Sequence, residues 1–194
     1  VPASTTNLGA GFDVLGLALQ LYLRVDLEEI SRPQPELELL GEGAAELPAS
    51  EENLLWRVTR RVFEGEKQPV PGVRLKIENQ IPLARGLGSS AAAIVAGISC
   101  FEALAERELS PDKFFQYAFE FENHPDNITA ARFGGFTVSA VAENGRVSFF
   151  RAPIAPKLKI LLTVPEFHLE TQKARAAIPR TLDLRDAVFN LQRS

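Results

Sequence analysis

The stretch Pro82-Leu-Ala-Arg-Gly-Leu-Gly-Ser-Ser-Ala-Ala-Ala93 narrows the possible folds of this 194-residue chain more than any other. Upstream, Val73, Leu75 and Ile77 alternate with Arg74, Lys76 and Glu78, the period of a strand buried on one face. Downstream, Ala91 to Ala105 is small and apolar, with one Gly and no Pro, and predicts a buried helix. The glycine-rich segment is therefore a strand-to-helix turn. Gly86 and Gly88 permit tight backbone angles and a close approach of a ligand to the main chain, and Ser89 or Ser90 is placed to cap the helix. The first amides of a helix lack internal partners and carry about half a positive charge, so a di- or triphosphate suits this turn. A capped loop without a ligand is the plainer alternative.

Two familiar phosphate loops fit poorly. Gly86-x-Gly88-x-x-Ala91 imitates a dinucleotide fingerprint, which needs a following strand ending in an acidic residue. Here the next stretch, Pro111 to Phe121, is helical instead. The P-loop needs a lysine after its last glycine, and Gly88 is followed by Ser89.

Composition removes several classes of function. A formal net charge of −4 leaves no basic footprint for nucleic acid. No apolar run approaches the length of a membrane span. The single cysteine, Cys100, rules out a disulfide within the chain and reads as a core residue, which fits a cytoplasmic setting. A methionine-free chain that opens inside a motif and closes on an amphipathic pattern reads as the N-terminal part of a longer protein.

The remaining elements follow from periodicity. Strands are expected over Val14 to Leu27, Glu36 to Leu40, Gly134 to Ala142 and Val147 to Arg151, the last two joined by an Asn144-Gly145 hairpin, and a buried strand over Leu158 to Val164. Helices are expected over Glu51 to Glu64 with Ser50 as cap, over Asp112 to Glu122, from the His124-Pro125 break to Ala131, and from near Thr171 and Leu184. Runs of strands and runs of helices predict a two-layer α+β domain.

Three further clusters carry chemistry. Pro2-Ala-Ser-Thr-Thr-Asn-Leu-Gly-Ala-Gly-Phe-Asp13 sets polar Asn7 and Asp13 among glycines ahead of an apolar strand. Glu120-Phe-Glu-Asn-His-Pro-Asp-Asn127 concentrates charge that must be solvated or engaged; Glu122 could serve magnesium, which takes one or two carboxylates plus substrate phosphates. Thr171-Gln-Lys-Ala-Arg175 offers an arginine that can grip a carboxylate with two prongs.

Together the four clusters resemble the homoserine-kinase branch of the galactokinase–homoserine kinase–mevalonate kinase–phosphomevalonate kinase superfamily, in order along the whole chain. The loop motif is shared across the superfamily; the N-terminal block, the His124-Pro-Asp-Asn127 block with Gly134-Gly-Phe136, and Thr171 to Arg175 point to the homoserine branch. The resemblance implies a ribosomal-protein-S5-domain-2-like domain over residues 1–152, with a left-handed βαβ crossover, and the start of a ferredoxin-like C-terminal domain over 153–194.

It also implies roles. Pro82, Arg85, Gly86, Leu87, Gly88, Ser89, Ser90 and Ala91 would hold ATP, with Asn53 near the adenine. Glu122 and Ser90 would serve Mg2+, with Glu120 as the alternative carboxylate. Asn7, Asp13, His124, Asn127, Thr171 and Arg175 would line the amino-acid pocket, Asp13 facing the ammonium and Arg175 the carboxylate. Asp126 and Asn127 are the catalytic candidates; whether Asp126 acts as a base or the transfer needs none is left open. The implied reaction moves the γ-phosphoryl group of ATP to the side-chain hydroxyl of L-homoserine, within threonine biosynthesis, and a homodimer is compatible with it. The rivals are another small-molecule kinase of the superfamily, acting on mevalonate, a sugar or a shikimate-type alcohol, and a nucleotide-binding module without catalysis.

Overall fold

A computed structural model describes residues 1–164, 171–179 and 181–193, without the side chains of residues 171–173. Its framework is one mixed sheet organised by a single long strand. β1 (Pro2–Asn7) runs antiparallel to the first half of β2 (Gly11–Ile30), with Ser4 opposite Ala18 and Thr6 opposite Gly16. The second half of β2 pairs antiparallel with β4 (Gly72–Asn79), from Leu23 opposite Asn79 to Ile30 opposite Gly72. β3 (Glu36–Gly41) lies parallel to β4 on the outer side. At the other end β5 (Phe136–Val141) pairs with Leu15–Leu17 of β2, and β6 (Val147–Ala152) pairs with β5. The order is β3-β4-β2-β5-β6, with β1 joined to β2 off that path.

The helices are α1 (Leu54–Gly65), α2 (Ser89–Leu104), α3 (Pro111–Phe119), α4 (Pro125–Phe133), α5 (Thr171–Ala176) and α6 (Leu184–Leu191). α2 is the central one. It is apolar all round, as a helix enclosed by neighbours must be, and buries Ala91, Ala92, Ile94, Val95, Ile98 and Phe101. α1 crosses it closely at Gly97, where a Cβ would lie 2.5 Å from the Leu55 carbonyl and 2.8 Å from Val58 Cβ. The buried Thr59 hydroxyl bonds the carbonyls of Leu55 (3.0 Å) and Gly97 (2.9 Å) across that contact. Cys100 is buried in α2 and its thiol is pushed up to about 12 by desolvation, in keeping with a packing role.

Several local expectations are corrected. The stretch Pro2–Asn7 is a strand, because its Ser/Thr-rich sequence is held by a ladder to β2 rather than by its own periodicity. α1 is capped by Asn53, whose side chain accepts the Leu55 N–H at 3.1 Å, and not by Ser50. α2 is capped by Gly88 in the left-handed region (φ 68°), and neither Ser89 nor Ser90 provides a cap. The strand expected over Leu158 to Val164 does not form: among the described residues this stretch has no ladder partner, and Leu158, Ile160, Leu161 and Val164 are exposed. An extended segment without a neighbouring strand leaves its backbone groups to water and forms no sheet. The Asn144-Gly145 hairpin forms as expected, Gly145 taking φ 79° and Val141 facing Val147.

Candidate functional site

The β1–β2 turn, the loop before α2, the start of α4 and α5 meet at one place. Ser4 ties the first two together: its N–H donates to the Leu87 carbonyl at 3.1 Å. Gly88 packs so tightly here that a Cβ would collide with Ser4 Oγ and come within 3.1 Å of Asn127 Oδ1. Gly86 also has positive φ (70°), but a Cβ there would meet nothing within 4 Å. The first glycine thus fronts open space and the second is a packing residue.

This loop fits a phosphate ligand. α2 begins with no side-chain cap, so its first amides are left for an anion. Arg85 Nη1 is buried with no hydrogen-bond partner among the described residues, a cost that an anionic oxygen would remove. Asn53 is spent differently. It is buried, caps α1, and donates Nδ2 to the Pro48 carbonyl at 2.9 Å, so both of its polar ends are committed to local structure.

The turn from β1 into β2 is built on strained backbone. Asn7, Leu8 and Asp13 have φ of 71°, 42° and 57°, unusual for residues with a Cβ. Asn7 Oδ1 accepts the Asp13 N–H at 2.9 Å and holds the turn closed. Asn127, in the first turn of α4, accepts from Ser4 Oγ at 2.9 Å through Oδ1 and donates Nδ2 to Thr6 Oγ1 at 3.3 Å. Its neighbour Asp126 is 1% exposed. Burial raises the Asp126 carboxyl above its usual range, opposed by the N–H of Asn127 (2.9 Å to Oδ1) and the Thr6 hydroxyl, and reinforced by the charge of Asp13.

Arg175 arrives from α5 and forms a two-pronged ion pair with Asp13, one arm at 3.0 Å. Its guanidinium lies 5.1 Å from the centre of the Phe12 ring. Its pKa is raised first by the bond to Asp13, and the charges of Asp126 and Glu122 add to the effect. His124 Nδ1 and Glu122 are in direct contact. Glu120, two residues earlier, points to α1, where Arg61 grips both its oxygens at 2.7 and 2.9 Å. Thr171 opens α5, but its side chain lies outside the described residues. The structure therefore brings together Asn7, Asp13, Glu122, His124, Asp126, Asn127 and Arg175 beside the phosphate loop, and sets Asn53 and Glu120 apart in structural contacts.

For a divalent cation, Glu122 and the exposed Ser90 offer hard oxygen donors. No group of three His, Cys, Asp or Glu poised for a metal occurs among the described residues. A magnesium ion carried by a nucleotide needs only one or two protein oxygens, and oxygens of this kind are the donors it takes. Two residues escaped the sequence reading: Ser4 and Thr6 lie inside a quoted motif, yet only the β1 ladder shows their hydroxyls turned toward Asn127.

The chain is similar to known proteins in sequence and in fold. Residues 53–135 match the model of the GHMP kinases N-terminal domain. The chain is 43% identical over 195 residues to a homoserine kinase of Aquifex aeolicus and 41% identical over 193 residues to one of Moorella thermoacetica. In both cases all of the chain is aligned, and it spans 64% of the length of the relative. The crystal structure of a homoserine kinase from Cytophaga hutchinsonii superposes with a TM-score of 0.79 at 25% identity, over 98% of this chain and 62% of that one.

Proposed function

We propose that the chain belongs to the GHMP kinase family, whose N-terminal domain its residues 53–135 match, and that the full-length protein transfers the γ-phosphoryl group of ATP to the side-chain hydroxyl of L-homoserine, giving O-phospho-L-homoserine, as the names of its 43% and 41% identical relatives suggest. The observation that carries the reading is the Asp13–Arg175 pair next to Asp126 and Asn127. An amino-acid zwitterion needs one anion and one cation side by side. A neutral sugar needs neither, and mevalonate needs only the cation. The pair is about a third exposed on each side (33% and 34%), and such pairs contribute only about 0–1 kcal/mol, so a zwitterion can replace it at low cost.

In this reading Arg175 takes the substrate carboxylate and Asp13 its ammonium. His124, set by Glu122, and Asn7 shape the pocket, with Thr171 beside Arg175. Asn127 offers its amide to the reacting hydroxyl, and Asp126 accepts the proton of that hydroxyl if the transfer uses a base. Gly86 to Ser90 and Arg85 hold the phosphates against the α2 N-terminus. Glu122 and Ser90 would hold Mg2+, which when bound neutralises charge on the phosphates. Such transfers depend mainly on positioning and electrostatic stabilisation.

The finer architecture belongs to the same reading: a ribosomal-protein-S5-like domain over 1–152, whose left-handed crossover would be β3–α1–β4, and the start of a ferredoxin-like domain over 153–194. The parallel β3–β4 pair and the end of β6 at Ala152 support this division. A cytoplasmic homodimer is part of it. The test is a coupled ADP-release assay on the full-length protein with homoserine, mevalonate and sugars. Turnover with homoserine alone is the expected result; a preference for mevalonate or a sugar would overturn the substrate, and ATP binding without turnover on any alcohol would overturn the enzyme.

A further inference from the structure

We propose that Thr6 and Ser4 are positioning residues that lock the side-chain amide of Asn127 in one orientation between the phosphate loop and the acceptor pocket. The inference rests on the kinase reading for its kinetic consequences, and on geometry alone for the orientation.

The direction of each hydrogen bond follows from what its neighbours can do. Thr6 Oγ1 accepts from Asn127 Nδ2 at 3.3 Å and from Asn7 Nδ2 at 3.5 Å. Asn7 Oδ1 is taken by the Asp13 N–H, so the end of Asn7 that faces Thr6 is its NH2 group and the Thr6 oxygen accepts there. Asn127 presents its NH2 edge to the same oxygen. The opposite edge is Oδ1, and the hydroxyl beside it, Ser4 Oγ, must donate at 2.9 Å. The bonds thus link Asn7, fixed by the Asp13 N–H, through Thr6 and Asn127 to Ser4. Ser4 is fully buried, and its N–H is fastened to the Leu87 carbonyl of the phosphate loop. Gly88 closes over the Ser4–Asn127 contact, with no room for a Cβ.

Asn127 is consequently not free to flip. One Nδ2 hydrogen is held by Thr6, and the other is left to meet an acceptor in the pocket, at a place fixed relative to the phosphate loop. A flipped amide would present an oxygen there, which accepts the hydroxyl's proton instead of donating to its oxygen, and so would turn the hydroxyl the other way. Alignment of the reacting atoms is where small misplacements cost most.

The experiment uses the full-length protein and the variants Thr6→Val, Thr6→Ser, Ser4→Ala and Asn127→Ala. Valine preserves the shape of threonine and suits a strand, so the fold should survive, as checked by the thermal midpoint. The first readout needs no substrate: the Asn127 side-chain amide signal in a nitrogen-15 spectrum, identified by its loss in Asn127→Ala. It should shift or broaden in Thr6→Val and Ser4→Ala and stay near its wild-type position in Thr6→Ser. The second readout is kinetic. Thr6→Val should lower kcat with homoserine roughly tenfold or more and leave KM for ATP within about twofold, Thr6→Ser should recover most of the loss, and Thr6→Val should add little in the Asn127→Ala background because both act through one contact. An unmoved Asn127 signal in Thr6→Val overturns the proposal whatever the enzyme phosphorylates. A moved signal with no turnover of homoserine by the wild type would instead leave the orientation standing and overturn the kinase reading. Kinetic losses that multiply with Asn127→Ala would show that Thr6 acts elsewhere.

Discussion

Arg175 and Asp13 lie 162 residues apart in the chain and form a two-pronged ion pair that joins α5 to the start of β2. The contact links the segment after β6 to the N-terminal motif, and each partner carries the charge opposite to one end of an amino acid. Neither side chain is deeply buried, so in the proposed reading a zwitterion replaces the pair. A guanidinium binds a carboxylate through two parallel bonds, which lysine cannot reproduce.

Arg175→Ala in the full-length enzyme should raise KM for homoserine roughly tenfold to a hundredfold, the value of a charged hydrogen bond of about 1.5–3 kcal/mol. KM for ATP should hardly move, and Arg175→Lys should recover only part. An analogue lacking the carboxylate should be a poor substrate for wild type and insensitive to the mutation. Steady-state kinetics with both substrates decide this, and an unchanged homoserine KM would remove Arg175 from the pocket.

The two loop glycines should behave differently. Gly86→Ala introduces a methyl group at φ 70° with nothing within 4 Å, so the fold should lose only about 1 kcal/mol while ATP affinity drops, since phosphates would occupy that space. Gly88→Val drives a side chain into Ser4 and should destabilise the protein itself. Calorimetric titration with ATP alongside thermal melts separates the two; unchanged ATP affinity in a folded Gly86→Ala variant would place the nucleotide elsewhere.

The two carboxylates before His124 make a second contrast. Glu122→Gln should lower kcat on the order of a hundredfold, as loss of a preorganised electrostatic group does, with little effect on metal-free ATP binding. Glu120→Gln breaks an ion pair with Arg61 whose partners are a third or more exposed, and should change stability by no more than about 1 kcal/mol and activity hardly at all. The reverse pattern in kcat would exchange their roles.

Asp126 should show a trade between stability and activity. Burial raises its carboxyl above the usual range, so the ionised form is less favourable in the folded state than in the unfolded one. This group's contribution to stability therefore grows as pH falls through the raised value. Asp126→Asn should leave the thermal midpoint at neutral pH unchanged or higher while reducing kcat. If Asp126 takes the hydroxyl proton, kcat should fall at low pH with its midpoint above that of an ordinary aspartate, and the variant should lose that limb.

Glu66 has the opposite sign. At the end of α1 it accepts from Lys113 at 2.7 Å, Arg107 at 2.6 Å and Tyr117 at 2.9 Å, and Lys113 leads in holding its carboxyl down to about 2. A lowered folded value means stability that is present above the ordinary carboxylate range and lost as pH falls toward 2. Glu66→Gln should cost on the order of 1–3 kcal/mol at neutral pH and flatten the acid side of a pH–stability curve measured by urea denaturation. A curve unchanged between pH 5 and 2 would show that these bonds contribute nothing.

Local chemistry was enough to read the β4–loop–α2 unit, the Asn144-Gly145 turn and the burial of Cys100. Alternation at Val73, Leu75 and Ile77, glycine permissiveness and apolar composition act over a few residues, so they are visible in the chain itself. The residues gathered at the site lie in contiguous motifs, and the roles proposed for them come from the family resemblance rather than from local chemistry. The contacts those residues make depend on positions far apart. That Asp13 pairs with Arg175, that Glu120 belongs to Arg61, and that Gly88 is filled by Ser4 are consequences of strands and helices meeting across more than fifty residues. Leu158 to Val164 shows the limit from the other side: its apolar content suits a strand, but a strand forms only where a neighbour offers its hydrogen bonds. The sequence alone determined which chemical groups this protein has and which short elements carry them. Which group faces which, and therefore whether a polar side chain is free for a ligand or already held, was decided only when the ladder of β1 on β2 closed the tertiary structure around them.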